Sequence, residues 1–488
     1  MAGIERRRVL AAGGGIALAA GLATACGSNT GRNAGGSGPE ISQWYHQYGE
    51  PGTQQAVKRY AAEYKKAEVR VQWRPGDYDR QTAAALLTDS GPDVFEVNGP
   101  LLDQIQGGQV VDLTDAVEPV KDDFNQAVLA PKIWQDKIWG IPQVVDMQLL
   151  YYRKSALKDA GVEPPQSLDE LVDAAKKLST KKSKGLVLGN DGGVGVLSGT
   201  PLFAAGLSLI SEDGKVGFDD PAAARTLGKI RQLYADKSLL LGAPTDWSDP
   251  AAFIQGLTAM QWSGLWALPQ IKKALGDDFG VLPFPKDGSG GKPAVPVGAY
   301  GSAVSGRGKR KAEAKAFAKW LWVDRTDLQQ DFALSYGFHI PARISLAKKA
   351  KQLRKGAAAD AVRYATEYGH AEPLPWTTAD RTAYQDALSR IIKDGAHPES
   401  ELKAVVWKVN AELQRVKEDR ARLREAYEER KDAMQAEAAA RNADDPDREK
   451  VKAEYDRDMS QYRGELLRIW MAAARAKDAG VVPPQTAP

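Results

Sequence analysis

The stretch EISQWYHQYGEPGTQQAVKRYAAEYKKAEVRVQW, residues 40–73, decides the fold class of this chain. Residues 41–45 are predicted to form a short strand, and residues 69–73 alternate apolar and polar side chains with the period of two that is typical of a half-buried strand. Between these two segments, apolar residues spaced four apart predict a helix over 53–66. The order strand, helix, strand predicts an α/β fold with a parallel sheet wrapped by helices.

The same alternation continues beyond this stretch. Because ligands of such sheets bind at the carboxyl ends of the strands, the loops at 45–47, 76–79 and 98–99 become candidates for a binding site. The predicted elements are strands at 93–97, 148–152, 185–188 and 259–262 and helices at 83–87, 100–106, 168–178, 201–209, 222–236 and 312–323.

Composition excludes several functional classes. The chain has 488 residues, which favours roughly three structural units. Its 66 basic and 63 acidic side chains give a net charge of +3, so nothing in the charge favours nucleic acid as a partner. After the N-terminus no apolar run is long enough to span a bilayer. A single cysteine excludes a disulfide framework and a multi-cysteine metal centre.

Catalytic motifs are absent from the sequence. The four histidines do not form an HExxH pair, and neither a GxSxG elbow nor a Walker loop is present. We therefore expect a protein that is not an enzyme and needs neither a cofactor nor a metal. The spacing of Asp77 and Asp146 leaves a glycosidase pair open. We favour Asp77 as a turn residue and Asp146 as an acceptor for a ligand hydroxyl.

The N-terminus is predicted to be a targeting segment. Arg6, Arg7 and Arg8 precede an apolar run, and LATAC (22–26) places small residues before Cys26. This segment, 1–26, resembles a bacterial lipobox signal in which Cys26 is lipidated, and its arginines resemble a twin-arginine signal. The alternative is an incidental cysteine in an ordinary secretory signal. Residues 27–39, rich in Gly and Ser, are predicted to form a flexible tether.

Aromatic side chains concentrate in the predicted loops. Aromatic rings stack on the apolar faces of sugars, while neighbouring polar groups hydrogen-bond the hydroxyls. Trp266 is the strongest candidate, because it lies between a strand end and a helix start. The GNDGG loop at 189–193 is a weaker candidate for ligand contact. The ligand-binding residues predicted from the sequence are Tyr45, His46, Asp77, Asn98, Asp146, Trp247, Trp266, Tyr300, Phe338 and Trp376.

Eight motifs follow one another along the chain. They are ISQWYH (41–46), GPDVFEVNG (91–99), WGIP (139–142), LLYYRK (149–154), PPQSLDEL (164–171), AMQWSGLWALP (259–269), GAYG (298–301) and GFHIPAR (337–343). This order of motifs resembles the extracellular solute-binding lipoproteins of sugar ABC importers, the maltose-binding-protein type. The resemblance covers about residues 40–400 and rests on the order of the motifs rather than on any one of them.

The resemblance implies two α/β lobes that close around a sugar. Lobe one is expected over 40–142 and 298–340, and lobe two over 147–295 and 346–400. The family's cleft positions fall on Tyr45, His46, Asn98, Asp146 and Trp266, with Trp376 near its late aromatic contacts. The implied protein is anchored at the extracellular face of the cytoplasmic membrane through its lipid alone, and delivers a sugar or oligosaccharide to an ABC permease.

The C-terminal region departs from the family. Residues 401–480 carry 18 acidic and 18 basic side chains, and their apolar residues follow two near-heptad stripes. We expect two long antiparallel helices in an extension over 401–488. We favour a solvated hairpin over a docking arm for an unknown partner. A surface scaffold acting through these helices and an exported glycan-active hydrolase are the alternative functions.

Overall fold

The computed structural model describes residues 39–441, apart from 49, 51, 89, 99–101, 212, 299, 337 and 374. The side chains of residues 98, 103, 106, 419, 420 and 422–441 are also outside that description. The predicted signal with Cys26, nearly all of the tether and the second tail helix therefore lie outside the described residues. Within the described part, no helix is both long and apolar enough to cross a membrane.

The strands form two main sheets and one small hairpin. The first sheet has the order β2-β1-β3-β12-β6, and the second has β14-β11-β7-β9-β8, with β10 and β13 also paired to β7. The strands are β1 Glu40–His46, β2 Glu68–Arg74, β3 Val94–Asn98, β4 Ile133–Trp134, β5 Lys137–Ile138, β6 Ile141–Pro142, β7 Val144–Tyr152, β8 Lys184–Val187, β9 Thr258–Gly264, β10 Gly280–Leu282, β11 Val295–Gly298, β12 Tyr300–Val304, β13 Ile340–Pro341 and β14 Gly369–His370.

Both main sheets are mixed, which corrects the prediction of parallel sheets. Strand β1 pairs in parallel with β2 and β3, as the strand–helix–strand pattern requires. Strand β12 returns from about 200 residues further along the chain and pairs antiparallel with β3. In the second sheet β7 pairs antiparallel with β9. A strand supplied by a distant segment is not bound by the local crossover that enforces parallel pairing.

Helices cover the faces of these sheets. Their bounds are α1 Thr53–Glu63, α2 Tyr78–Ala85, α3 Leu102–Gln106, α4 Thr114–Val117, α5 Gln126–Leu129, α6 Lys154–Ala160, α7 Leu168–Leu178, α8 Val194–Leu197, α9 Thr200–Ala204, α10 Pro221–Ala235, α11 Ala251–Ile254, α12 Leu268–Leu275, α13 Lys311–Lys319, α14 Thr326–Asp331, α15 Ile344–Ala347, α16 Gly356–Tyr368, α17 Thr378–Ile392 and α18 Pro398–Arg441.

Helix α7 shows how local sequence sets these bounds. Ser167 Oγ accepts a hydrogen bond from the Glu170 N–H, and the Glu170 carboxylate accepts one from the Ser167 N–H, so a capping box starts the helix. The predicted span of 168–178 is confirmed. The predicted helix over 201–209 is wrong, because α9 ends at Ala204 and Gly206 then adopts a positive φ of 80°.

The first turns of helix α18 belong to an apolar cluster, here called the second core, which also contains residues of α10 and α17. This part of the helix is therefore not a separate extension. It starts at Pro398, three residues before the predicted boundary at 401. Leu402, Val405 and Val409 are buried in the apolar cluster that also contains residues of α10 and α17. The first turns of the predicted charged region are therefore held by burial of apolar surface.

Candidate functional site

An open cavity of about 830 Å³ lies where the two sheets meet. The first sheet contributes the ends of β1 and β12, and the second sheet contributes β7 and the turn that follows β9. This is the edge at which strand ends leave backbone and side chains free to contact a ligand.

One wall of the cavity is an aromatic cluster organised by a buried carboxylate. The ring of His46 stacks on Tyr300 with centroids 3.9 Å apart and lies 3.8 Å from the ring of Tyr48. Glu96, which is 2% exposed, accepts hydrogen bonds from the His46 backbone N–H at 2.9 Å and from the Tyr48 hydroxyl at 2.5 Å. Burial and the neighbouring Glu96 carboxylate raise the pKa of Tyr48, so its hydroxyl stays a donor. The cluster is therefore fixed before a ligand arrives.

A buried histidine joins two carboxylates at the base of the cavity. His339 Nδ1 lies 3.1 Å from Asp146 Oδ2, and His339 Nε2 lies 3.6 Å from Glu50 Oε1. Burial lowers the pKa of His339, but the charges and hydrogen bonds of Asp146 and Glu50 outweigh it and raise the pKa to about 10. Burial raises the pKa of Glu50, but the hydrogen bond and charge of His339 outweigh it and lower that pKa. The imidazolium therefore lies between two carboxylates that can accept hydrogen bonds.

We expect this ion-pair cluster to make stability depend on alkaline pH. Because the pKa of His339 is raised from its ordinary 6.5 to about 10, its stabilisation is complete below pH 6.5 and is lost as pH rises through 10. Between these limits the wild type should lose on the order of 2 kcal/mol more unfolding free energy than His339→Gln. Urea unfolding across this range measures the difference. An NMR titration of His339 with a midpoint near 6.5 would contradict it.

Two indole rings also line the cavity. Trp266 and Trp247 are both half-buried and meet edge to face, with centroids 5.6 Å apart. Trp266 Nε1–H donates to the Ser248 carbonyl at 2.8 Å. A Cβ at Gly264 would lie 1.9 Å from the six-membered ring of Trp266, so the ring rests directly on the glycine backbone. The indole is thus held in one orientation with a face left for a ligand.

Glu372, from a late segment of the chain, also lines the cavity. Glu372 accepts a hydrogen bond from Arg381 at 2.6 Å and one from the Ser198 hydroxyl at 3.0 Å. Ser198 has a φ of 43°, an uncommon conformation for a residue other than glycine, and lines the cavity. These contacts bring α17 and the loop between α8 and α9 to the same edge of the cavity.

Half of the predicted ligand-binding set lines the cavity. His46, Asp146, Trp247, Trp266 and Tyr300 all do so. The side chain of Asn98 lies outside the described residues, and its backbone ends β3 opposite Tyr300. The predicted loop at 189–193 supplies a turn, in which Asp191 accepts hydrogen bonds from the Gly193 and Gly195 N–H groups.

Four predicted residues lie elsewhere. Tyr45 is 0% exposed and packs against Trp73, because adjacent side chains of a strand point to opposite faces and His46 takes the cavity side. Phe338 has a φ of 51° and packs on the apolar cluster that also contains Tyr45, whereas its neighbour His339 lines the cavity. Trp376 is 2% exposed and packs on Tyr384 in the second core.

Asp77 is the fourth residue outside the cavity. It caps α2, with its carboxylate accepting a hydrogen bond from the Arg80 N–H at 3.1 Å. This contact makes Asp77 the N-cap of α2. Asp146 lines the cavity, and Asp77 is not among the lining residues.

Sequence reasoning missed several lining residues, namely Tyr48, Glu50, Lys132, Ser198, His339, His370, Glu372 and Arg381. Tyr48 and Glu50 follow β1 directly, so a wider window at the strand end would have found them. The others come from short helices and late segments that carry no local pattern. Among the described residues no group of three or more His, Cys, Asp or Glu side chains is arranged to hold a metal ion.

Known proteins share this fold. The chain is similar to a solute-binding protein of Thermotoga lettingae TMO bound with α-D-tagatose, with 21% identity and a TM-score of 0.65 over 77% of this chain and 100% of that one. It is also similar to the GacH receptor of Streptomyces glaucescens GLA.O, with 22% identity and a TM-score of 0.66 over 77% and 99%. The predicted two-lobed α/β fold is therefore confirmed.

Sequence relatives agree with the fold. The multiple sugar-binding protein of Streptococcus mutans is 26% identical over 39% of this chain, and the match spans about half (48%) of that relative. The galactooligosaccharide-binding protein of Bacillus subtilis is 24% identical over 78% of this chain and 91% of that relative. The family described as bacterial extracellular solute-binding protein matches residues 48–322. Together with the two-lobed fold and its central cavity, this match establishes that the chain belongs to the bacterial extracellular solute-binding protein family.

Proposed function

We propose that this protein is the substrate-binding component of an ABC importer, capturing a sugar or oligosaccharide between its lobes and delivering it to a membrane permease. The observation that carries the proposal is that four aromatic rings line one cavity, those of Trp266 and Trp247 and those of His46 and Tyr300. Stacked aromatic faces suit the apolar faces of a pyranose.

The polar groups of the cavity support the same ligand class. Asp146 and Glu50 are held as acceptors by His339, and Glu372 is held by Arg381. Sugar hydroxyls lose water when they are buried and need such acceptors in fixed positions. The relatives from Streptococcus mutans and Bacillus subtilis are both sugar-binding proteins, which also supports this ligand class.

Closure of two lobes is the proposed capture mechanism. We assign lobe one to 40–142 with 298–340, and lobe two to 147–295 with 346–400. Strand partners support this division: β6 ends at Pro142 in the first sheet and β7 starts at Val144 in the second. Likewise β11 ends at Gly298 in the second sheet and β12 starts at Tyr300 in the first. Such short crossings act as hinges when a ligand stabilises the closed state.

The proposal places the protein at the extracellular face of the cytoplasmic membrane, anchored by a lipid on Cys26. The LATAC motif supports the anchor, and the Gly-rich segment 27–39 supplies the tether. One acyl chain binds a membrane weakly, so stable anchoring requires more than one chain on the cysteine. Mass spectrometry of the membrane fraction, searching for a diacylglyceryl-modified Cys26, tests this step.

A ligand screen of the purified full-length protein tests the central proposal. We expect one class of mono- or oligosaccharide to raise the melting temperature, because a ligand that binds only the folded state stabilises it. The same ligand should reduce the radius of gyration in X-ray scattering as the lobes close. Polyols, amino acids and peptides are the controls.

Each alternative function has its own outcome. Folded protein that responds to no sugar, or responds to amino acids or peptides instead, would contradict the proposal. Release of shorter saccharides during incubation with an oligosaccharide would favour the hydrolase. The surface scaffold would be favoured by two results together. Sugar uptake by cells would be unchanged after deletion of the ligand-binding lobes, and it would be lost after truncation of the chain at residue 417.

A further inference from the structure

Lys132 is a buried lysine and one of the residues that line the cavity. It closes a short 3-10 turn, Ala130–Lys132, and is 2% exposed. Its stem runs against Gly301, where a Cβ would lie 2.5 Å from the Lys132 Cε. The absence of a side chain at position 301 therefore leaves space for the lysine side chain.

The ammonium group of Lys132 has neither a hydrogen-bond acceptor nor an ion-pair partner among the described residues. Burial lowers its pKa to about 8, and none of the described carboxylates lies close enough to raise it. An unpaired buried cation is costly, because the desolvation of the ammonium is not offset by any partner. A ligand that supplied an acceptor to this ammonium group would offset its desolvation.

Five of the other charged groups that line the cavity pair with one another, and Asp79 also lines it. Glu50 and Asp146 face His339, and Glu372 pairs with Arg381. The lining that comes from the same segment as Lys132 is apolar, consisting of Ala127, Val128 and Pro131. Lys132 is thus a single cation on an apolar wall, apart from the carboxylates of the hydroxyl-binding region.

We infer that Lys132 binds an anionic oxygen group, a carboxylate or a phosphate, carried by a hydroxylated ligand. The inference rests on the proposed function and narrows its substrate class to acidic saccharides and phosphorylated sugars or polyols. The aromatic walls and ordered acceptors would hold the hydroxylated part, while a charge-assisted hydrogen bond from Nζ–H would hold the acidic group. A neutral sugar would leave the ammonium without a counter-charge.

The test is a comparison of matched ligands on the full-length protein. Glucose, glucuronate and glucose 6-phosphate, with the corresponding disaccharides, differ only in the acidic group, and calorimetry measures each dissociation constant. We expect at least one acidic member to bind about tenfold or more tightly than its neutral counterpart. A preference for carboxylate or for phosphate identifies which of the two groups is recognised.

Two variants connect the preference to Lys132. Lys132→Met keeps the length of the stem and removes the charge, so it should abolish the preference without lowering the melting temperature of the free protein. Lys58→Met removes the same charge from an exposed position of α1 and should change nothing. Lys132→Gln, which retains a donor, replaces Lys132→Met if that variant misfolds.

The outcomes separate this inference from the proposed function. Tight binding of neutral sugars, unaffected by Lys132→Met, would overturn the inference and leave the proposed function standing. An acidic preference that survives Lys132→Met would also overturn it. Absence of binding by every sugar, neutral and acidic, would overturn both.

Discussion

Trp266→Ala is expected to weaken binding of the sugar ligand about 100-fold, because it removes the ring that forms one wall of the cavity. The indole rests on Gly264 and is held by the hydrogen bond from Nε1–H to the Ser248 carbonyl. A half-buried ring whose orientation is fixed before the ligand binds loses little conformational entropy when it stacks on that ligand. Most of its contact energy therefore appears as affinity. Isothermal titration calorimetry with the sugar found in the screen measures the loss.

Two further variants isolate the role of the ring. Trp407→Ala makes the same substitution on α18, where the indole is 72% exposed, and should leave affinity unchanged. Gly264→Ala keeps Trp266 but displaces its ring, since the new Cβ would lie 1.9 Å from it, and should weaken binding in the same direction. Equal affinity in the wild type and Trp266→Ala would remove this residue from the proposed site.

Trp376→Ala is expected to lower the free energy of unfolding by about 3–5 kcal/mol. The ring is 2% exposed and packs edge to face on Tyr384 and Phe218, with centroids 6.1 and 6.2 Å away. Truncation leaves a large cavity in the second core, and its walls are held by α10 and α17 and relax little. Urea unfolding followed by circular dichroism measures the loss.

Trp376→Phe provides the matched control. The Trp376 Nε1–H has no hydrogen-bond acceptor among the described residues, so phenylalanine removes volume without breaking a hydrogen bond and should cost much less than alanine. Sugar affinity should stay close to the wild-type value in both variants at temperatures where they are folded. Normal stability with lost affinity in Trp376→Ala would return this residue to the cavity.

Local pattern was sufficient for several elements of the fold. The period of two at 69–73 and the spacing of four at 53–66 predicted β2 and α1, and the capping box at Ser167 set the start of α7. These signals are local because side-chain direction follows directly from the backbone conformation. The mixed sheets were not predicted, since the pairing of β12 with β3 depends on a segment about 200 residues away.

The candidate site was predicted in part. Strand ends identified His46, and the strand-to-helix junction identified Trp266, because both features depend on neighbours in the sequence. The same reasoning chose Tyr45 and Phe338, each one residue away from a side chain that does line the cavity. Tyr45 lies on extended backbone, where a shift of one residue reverses the face, and the sequence alone does not say which face is buried. Phe338 lies instead at a positive φ, which the sequence did not indicate.

The sequence by itself determined the α/β class, the order of strands and helices over residues 40–106, and the aromatic, carboxylate-rich character of the loops. Only the tertiary structure decided that Trp376 packs in a core, that His339 lies between Asp146 and Glu50, and that Lys132 is buried at the cavity lining. The physical reason is that burial and charge pairing depend on which distant segments are brought together. Residues 132, 146 and 339 have no local relation in the chain, and the crossing strands alone place them around one cavity.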